Sequence, residues 1–323
     1  MNIVDAYKAD FLAYLNATIK IKEPKNLYEP IQYILQIGGK RLRPILTIMT
    51  CDLFNGNVNK AYDAALAIEV FHNFTLIHDD IMDSAPIRRG KETVHIKWDI
   101  NTGILSGDAM MIMAYKCFEN YDEGIFKKLM CLFNQTALEV CEGQQLDVDF
   151  ELRNDVSIPE YIKMITNKTS VLVAAAMKMG AIVAEVSEEE ANKIYDFGLN
   201  LGIAFQLQDD YLDTFGNVET FGKQIGGDII ENKKTYLYLK ALEICDENDK
   251  HKLLNYYNSK TEETKKVSEV TSLFLRNNIS ECTIKEIEIY TNKSFEILET
   301  LSISSEKKEI LKNFGLGLMK RSL

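Results

Sequence analysis

The chain contains two aspartate-rich segments, each embedded in an apolar stretch with helical spacing. The first lies in FHNFTLIHDDIMD (71–83) and the second in FQLQDDYLD (205–213), so the pattern DDxxD occurs twice. A carboxylate in apolar surroundings is costly unless a partner neutralises its charge. Any fold of this chain must therefore supply cations to both segments, and a bound divalent metal ion is the simplest candidate. The predicted metal ligands are Asp79, Asp80, Asp83, Asp209, Asp210 and Asp213.

Helix geometry places the outer aspartates of each motif on one face. Each helical residue turns by about 100°, so Asp79 and Asp83 lie about 40° apart and Asp80 points aside. His72 shares the helix face of Asp79, and Gln206 shares the helix face of Asp209 and Asp213. Such carboxylate pairs suit Mg²⁺, which binds one or two protein carboxylates together with substrate phosphates. A single copy is equally typical of a solvated helix face, but the second copy favours two metal-binding clusters that face each other across a cavity.

Basic residues accompany the first motif. Lys40 and Arg43 follow the glycine pair of GGKRLRP, and Arg88 and Arg89 lie just beyond the first aspartate segment. Guanidinium groups match phosphate oxygens in bidentate geometry, and a histidine such as His72 can also donate to a phosphate. The alternatives are a surface cluster of cations and a lone core histidine.

Composition limits the class of protein. The chain has 323 residues, of which 46% are hydrophobic, and only five prolines. These numbers allow a large core in one big helical domain or in two smaller ones. Since no stretch rich in Pro, Gly or Ser divides the chain, we expect a single domain over residues 1–323. The net charge of −11 argues against nucleic acid as a partner. Six cysteines without CxxC pairs favour reduced thiols in a cytoplasmic protein, and the sequence predicts neither a signal peptide nor a membrane-spanning helix.

Apolar periodicity predicts several individual helices. Residues 27–37 form a helix that stops at a glycine pair, and residues 60–83 form the helix of the first motif. Residues 103–118 form a helix entered through Gly107 and Asp108, with methionines that fill the core or line a hydrocarbon tunnel. The stretch 171–186 is apolar enough to be a buried helix.

Several motifs together resemble one family. The doubled DDxxD, GGKRLRP, RRG, GQQLD (143–147), KT (168–169) and GKQIGGDIIENKKT (222–235) are similar to those of the trans-isoprenyl diphosphate synthases, or polyprenyl synthetases. They occur in family order over about residues 35 to 240. The resemblance implies an all-α fold of the isoprenoid synthase type, a single domain around a deep central cavity, and a homodimer. Residues from about 244 to 323 are expected to form packing helices.

The resemblance also implies a reaction, in which isopentenyl diphosphate is condensed with an allylic diphosphate through an allylic carbocation. Three Mg²⁺ ions, held by the aspartate motifs, would stabilise the leaving diphosphate. The residues expected at isopentenyl diphosphate are Lys40, Arg43, His72 and Arg89. Those expected at the allylic diphosphate are Arg88, Lys168, Thr169, Gln206, Lys223 and Lys233. The predicted catalytic residues are Asp79, Asp83, Arg88, Lys168, Asp209, Lys223 and Lys233.

Product length depends on the floor of the hydrocarbon pocket. In the family this floor is set by the fifth and fourth residues before the first motif, here Phe74 and Thr75. One bulky ring with a DDxxD of ordinary spacing resembles geranylgeranyl diphosphate synthases, with a C20 product; a C15 or a longer product is the alternative. On an ideal helix, however, Phe74 lies about 140° from Asp79. Two other classes, a terpene cyclase and a non-catalytic subunit of a heteromeric synthase, normally lack one intact DDxxD motif.

Overall fold

The computed structural model describes residues 3–217, 225–259 and 261–319. These residues are mostly α-helical, which confirms the all-α prediction, and the strands among them form one hairpin of β1 (Ile87–Arg88) and β2 (Lys91–Glu92). In chain order the helices are α1 (Ile3–Thr18), α2 (Lys25–Gln36), α3 (Leu42–Leu53), α4 (Val58–Met82), α5 (Val94–Lys97), α6 (Ile100–Lys116), α7 (Glu123–Leu152), α8 (Ile158–Ile165), α9 (Val171–Val183), α10 (Glu188–Phe215), α11 (Gly227–Ile230), α12 (Tyr236–Ile244), α13 (Glu247–Asn258), α14 (Glu263–Arg276), α15 (Ile279–Glu299) and α16 (Ser305–Met319).

Two short irregular turns interrupt this pattern. A 3₁₀ turn (Cys117–Asn120) follows α6, and a π-helical turn (Thr166–Ser170) joins α8 to α9. Among the helices of the described ranges, none combines the length and the apolar composition that a membrane crossing requires.

The chain divides into two compact units. The first comprises Met1–Gln135 and Ala175–Asn192, and the second comprises Thr136–Ala174 and Lys193–Leu323. A single domain over residues 1–323 around a deep central cavity therefore stays a prediction.

Helix α4 is the centre of the first unit, where it packs against α3 and α6. Asn57 caps its N-terminus by accepting a hydrogen bond from the amide of Asn59. Its small residues, Ala61 and Ala67 among them, are fully buried, as the close packing of neighbouring helices requires.

The predicted entry of the next long helix was wrong. Helix α6 begins at Ile100, where Asp99 caps the amide of Thr102, and Gly107 lies within the helix. A Cβ at Gly107 would lie 2.7 Å from Cδ2 of His78, so this glycine admits the imidazole ring of α4 against α6. A packing constraint, rather than a helix start, accounts for this glycine.

The second unit has its own apolar core. Ser157 and Glu160 form a capping box at the start of α8, which fixes the approach to the π-helical turn. The C-terminal helices contribute buried side chains such as Val270, Phe274 and Ile279 to this core.

Candidate active site

The loop between α2 and α3 depends on two glycines. Gly38 and Gly39 have φ angles of 104° and 123°, which side-chain-bearing residues rarely adopt. A Cβ at Gly39 would lie 2.6 Å from Nη1 of Arg89, and that guanidinium donates a hydrogen bond to the carbonyl of Gly38. The glycine pair therefore brings the backbone of the loop against the side chain of Arg89.

Arg43 and His72 meet beside this loop. The Nη1 atom of Arg43 lies 3.1 Å from Nε2 of His72. Burial, followed by the charges of Arg43 and Arg89, lowers the pKa of His72 well below its ordinary value, so the ring is neutral and Nε2 accepts the hydrogen bond. Burial also lowers the pKa of Arg43 to about 10. Its buried Nε has no hydrogen-bond partner in the described part of the chain, so the cluster is suited to bind an anion.

A tight hairpin presents the second basic pair. Arg89 and Gly90 form the two-residue loop between β1 and β2, with φ angles of 52° and 75°. Arg88, the residue before this loop, donates from Nε to both oxygens of Asp80 at 2.8 and 2.9 Å. Asp80 is only 1% exposed. As placed here, the predicted metal ligand Asp80 and the predicted phosphate ligand Arg88 bind each other.

The other two aspartates of the first motif lie at the end of α4. Asp79 is half-buried in the last turn, and Asp83 is the exposed C-cap, whose amide donates to the carbonyl of Asp79 at 2.8 Å. Lys40 is exposed in the loop before α3. Their roles at metal and substrate stay predictions.

Phe74 lies on the aromatic side of α4. Its ring centroid is 5.6 Å from that of Phe71 and 4.8 Å from that of His78. The hydroxyl of Thr75 donates to the carbonyl of His72 at 2.8 Å, within the same helix. The role of Phe74 and Thr75 as the floor of the hydrocarbon pocket stays a prediction.

The second unit contains a cavity of about 170 Å³. Its wall joins many of the predicted site residues to others that the motifs did not single out. The charged and amide side chains of the wall are Asp147, Glu151, Lys168, Gln206, Asp209, Asp210, Asp213, Asp228, Lys233 and Lys234. The remaining wall residues are Phe150, Tyr161, Met164, Ile165, Thr169 and Thr235.

The π-helical turn carries Lys168 and Thr169 into this wall. A Cβ at Gly143, on α7, would lie 2.7 Å from Cα of Lys168, and one at Gly202, on α10, would lie 2.8 Å from Cα of Ser170. Both glycines therefore allow a helix to touch the backbone of the turn. Lys168 in turn forms an ion pair with Asp147 at 2.5 Å, which gives this lysine the partner that its apolar context demands. Asp147, the last residue of GQQLD, thus lies in the wall of the cavity.

Hydrogen bonds link the turn to the second aspartate motif. Thr169 donates to Oε1 of Gln206 at 3.2 Å, and Nε2 of Gln206 donates to Oδ1 of Asp210 at 3.0 Å. The buried hydroxyl of Tyr161 donates to the other oxygen of Asp210. No motif in the sequence indicated Tyr161. This tyrosine lies seven residues before Lys168 in PEYIKMITNKT, which is two turns along a helix.

The acids of the cavity outnumber its lysines. Burial raises the pKa of Asp210 well above its ordinary value, and the charges of Asp228 and Asp209 raise it further. Burial also raises the pKa of Asp228, against the lowering effect of Lys233. Although burial opposes its charge, Lys233 has a raised pKa because it lies 3.4 Å from Asp228 and 2.9 Å from Glu231.

Carboxylate oxygens are the ligands that hard divalent cations such as Mg²⁺ prefer in proteins. In the described residues, however, no three acidic, histidine or cysteine side chains lie in an arrangement that could hold a metal ion. Binding of a divalent cation by these carboxylates therefore stays a prediction.

Of the glycine-rich segment 222–235, the structure describes residues 225–235. Lys223 lies outside the described residues. Asp228 lines the cavity, and its amide donates to Oδ2 of Asp213 at 3.0 Å, which ties this segment to the second motif. The glycine pair before Asp228 was the only sequence signal for this contact.

The chain is similar to known proteins over its whole length. The family model described as polyprenyl synthetase matches residues 24–274. A short chain isoprenyl diphosphate synthase from Methanothermobacter thermautotrophicus is 35% identical over 96% of this chain and 95% of that protein. A geranylgeranyl diphosphate synthase from Methanosarcina mazei is 40% identical over 75% of this chain and 76% of that protein. A crystal structure of a geranylgeranyl pyrophosphate synthase, 53% identical, superimposes with a TM-score of 0.96 over 100% of both chains.

Proposed function

Because the chain belongs to the polyprenyl synthetase family and is a short-chain trans-prenyltransferase, we propose that it condenses isopentenyl diphosphate with dimethylallyl, geranyl and farnesyl diphosphates. Its main product is geranylgeranyl diphosphate. The observation that carries this proposal is the cavity of the second unit, where carboxylates and lysines share one wall. Carboxylates that need a cation, beside ammonium groups that can bind phosphate, form a site for a metal diphosphate.

The allylic diphosphate binds in this cavity. Lys168 and Lys233 contact its oxygens, together with Thr169 and Gln206. Lys223 is assigned to the same group from its motif alone. The proposed metal ligands of this cavity are Asp209, Asp210 and Asp213, to which the structure adds Asp228. Asp79 and Asp83 of the first unit are assigned as metal ligands from their motif alone.

The lysines of the cavity stabilise the negative charge of the leaving diphosphate. Lys168 forms an ion pair with Asp147, and Lys233 forms ion pairs with Asp228 and Glu231. Both ammonium groups line the cavity, so they can stabilise the negative charge that develops on the departing diphosphate. When bound, Mg²⁺ ions supply Lewis acidity at the same oxygens. The apolar members of the wall, such as Met164 and Ile165, keep water away from the allylic carbon.

Isopentenyl diphosphate binds at the cluster of Arg43, His72 and Arg89, with Lys40 beside it. The buried Nε of Arg43 has no hydrogen-bond partner in the described residues, and burial, followed by the charges of neighbouring arginines, lowers the pKa of Arg89. Both features favour an anion bound at this cluster. His72, neutral at physiological pH, orients Arg43 through their hydrogen bond. Arg88 contacts the allylic diphosphate only if its ion pair with Asp80 opens.

Phe74 and Thr75 set the length of the product. The ring of Phe74 lies against Phe71 and His78, so its bulk stays fixed on one side of α4. A fixed ring at the floor of the hydrocarbon site stops elongation at C20, and a C15 or longer product is the alternative.

A second copy of the chain covers the apolar side chains of α6. Leu105 and Ile112 are 59% and 60% exposed, although both lie in an otherwise apolar helix. We therefore expect a homodimer. Within the described residues all six cysteines are thiols rather than disulfides, which supports action in the cytoplasm.

Incubation of the purified protein with Mg²⁺, isopentenyl diphosphate and each allylic primer tests this proposal. Chain-length analysis of the products should show elongation mainly to C20 with every primer, and EDTA should abolish it. No elongation with any primer would refute the proposed reaction. Cyclic hydrocarbons instead of prenyl diphosphates would favour a terpene cyclase. Light scattering of the same sample measures the molar mass and so tests whether the protein is a dimer.

A further inference from the structure

The C-terminal part of the second unit contains a buried lysine that packing does not explain. Lys266, on α14, is only 5% exposed. Its ammonium donates to Oδ1 of Asn232 at 2.6 Å and to the carbonyl of Ile230 at 3.2 Å. Both of these acceptors are neutral oxygens, and no ion pair found in the described residues includes Lys266. An apolar side chain would fill the same space without burying a charge, so the ammonium itself has a role.

Both acceptors belong to one turn of the chain. Ile230 is the last residue of α11, and Asn232 follows with a left-handed φ of 59°. A carbonyl at a helix end and an asparagine in this conformation both have oxygens free to accept a hydrogen bond. Lys266 therefore holds the backbone and a side chain of this turn at the same time.

The turn carries two residues of the proposed active site. Asp228 begins it and Lys233 ends it, and the amide of Lys233 donates to the carbonyl of Asp228 at 2.9 Å. The start of the turn is fixed to Asp213, which accepts from the amide of Gly226 at 2.6 Å through its carbonyl. Lys266 provides the second attachment, so the orientation of Asp228 and Lys233 depends on it.

Aromatic rings make the buried charge tolerable. The ammonium groups of Lys266 and Lys234 lie 5.1 and 5.4 Å from the ring of Tyr257, which stacks on Tyr238 at 4.2 Å. Burial, and then the charge of Lys234, lowers the pKa of Lys266. Lys266 on α14 and Lys234 in the cavity wall thus contact the same aromatic ring.

We propose that Lys266 is a positioning residue of the prenyl transfer reaction. It fixes the turn from Asp228 to Lys233, so that Asp228 faces the metal site and Lys233 faces the allylic diphosphate. This inference rests on the proposed function of the cavity. It assigns a role in the reaction to a helix outside the two aspartate motifs. Residues that orient metal ligands from a distance typically change metal affinity or activity by about 10- to 100-fold when they are removed.

Lys266→Met removes the ammonium and keeps an unbranched apolar side chain of similar length. The expected result is a rise of about 10-fold or more in the KM for the allylic diphosphate and in the Mg²⁺ concentration for half-maximal rate. The KM for isopentenyl diphosphate should stay unchanged, because its proposed ligands lie in and around α3 and α4. Lys265→Met is the matched control, since Lys265 is the exposed neighbour on the same helix.

A second variant tests the same contact without the lysine. Asn232→Gly removes the acceptor and tolerates the left-handed conformation, so it keeps the turn foldable. It should raise the same two constants, and the double variant should be no worse than Lys266→Met because both substitutions remove one interaction. Thermal unfolding of each variant shows whether it is folded.

The possible failures are distinguishable. Unchanged constants in folded Lys266→Met or in Asn232→Gly, or equal losses for both substrates, would overturn the positioning role and leave the proposed function intact. Absence of elongation by the wild-type protein would overturn the proposed function, and the inference with it.

Discussion

Gly143→Ala tests whether close backbone contact fixes the turn of Lys168 and Thr169. A Cβ at this position would lie 2.6 Å from the carbonyl carbon of Asn167 and 2.7 Å from Cα of Lys168. Ordinary van der Waals contact starts near 3.4 Å, so the turn must move by several tenths of an ångström or more. Both neighbours are backbone atoms, which no rotamer change can relieve.

The size of the effect follows from two opposing terms. Alanine in place of a helical glycine gains about 1 kcal/mol of helix propensity. Overpacking of a tight site costs about 1 to 3 kcal/mol, and contact with backbone favours the upper end. We expect a net loss of about 1 to 2 kcal/mol in the free energy of unfolding, or a fall of a few degrees in Tm for a chain of this size. A displacement of about 1 Å at a substrate-positioning group can cost about 100-fold in rate.

For each variant we would measure kcat/KM for farnesyl diphosphate, the KM for isopentenyl diphosphate and the Tm of thermal unfolding. Gly124→Ala is the matched control, because Gly124 lies in the same helix and a Cβ there meets nothing within 4 Å. That variant should be as active as the wild type and equally or more stable. Wild-type kinetics and Tm for Gly143→Ala would refute the argument.

Three further predictions concern other parts of the site. Tyr161→Phe removes the hydroxyl that Asp210 accepts from, so the Mg²⁺ concentration for half-maximal rate should rise about 10-fold; an unchanged Mg²⁺ titration would contradict this. Phe74→Ala should lengthen the product beyond C20, as chromatography of the dephosphorylated alcohols would reveal, and an unchanged product would dismiss the ring as the floor. The pKa of His72 is depressed in the folded protein, so the ring is neutral there and gains a proton on unfolding below pH about 6.5. The free energy of unfolding should therefore fall as the pH falls, by up to about 1.4 kcal/mol per pH unit. His72→Gln should therefore lose less Tm than the wild type between pH 7 and pH 5, and equal losses would show that His72 does not titrate on unfolding.

Much of the local structure could be predicted because it depends on residues close in sequence. The periodicity of apolar residues predicted the helices. The rotation along one helix predicted that Asp80 points away from Asp79 and Asp83, and in the structure Asp80 is the buried member of the three. The same rotation places Gln206, Asp209 and Asp213 on one face, and the cavity wall contains these three residues and also Asp210.

Long-range contacts could not be predicted in the same way. Gly107 looked like a helix start, but the ring of His78 occupies the space beside it. No local pattern indicated that Arg88 would bind Asp80, or that Tyr161 would share Asp210 with Gln206. Each of these contacts joins different elements, so tertiary packing alone selects the partner.

The two aspartate motifs show where this division lies. The sequence by itself determined that both are helical and that their carboxylates require cations, because the spacing of side chains along a helix and the cost of a buried charge are local properties. Only the tertiary structure decided which groups meet those carboxylates: Arg88 at Asp80, and Tyr161 and Gln206 at Asp210. It also brought Lys266 from a helix with no motif to the turn that carries Asp228. Packing between distant elements determines such partners, and spacing along one helix does not encode them.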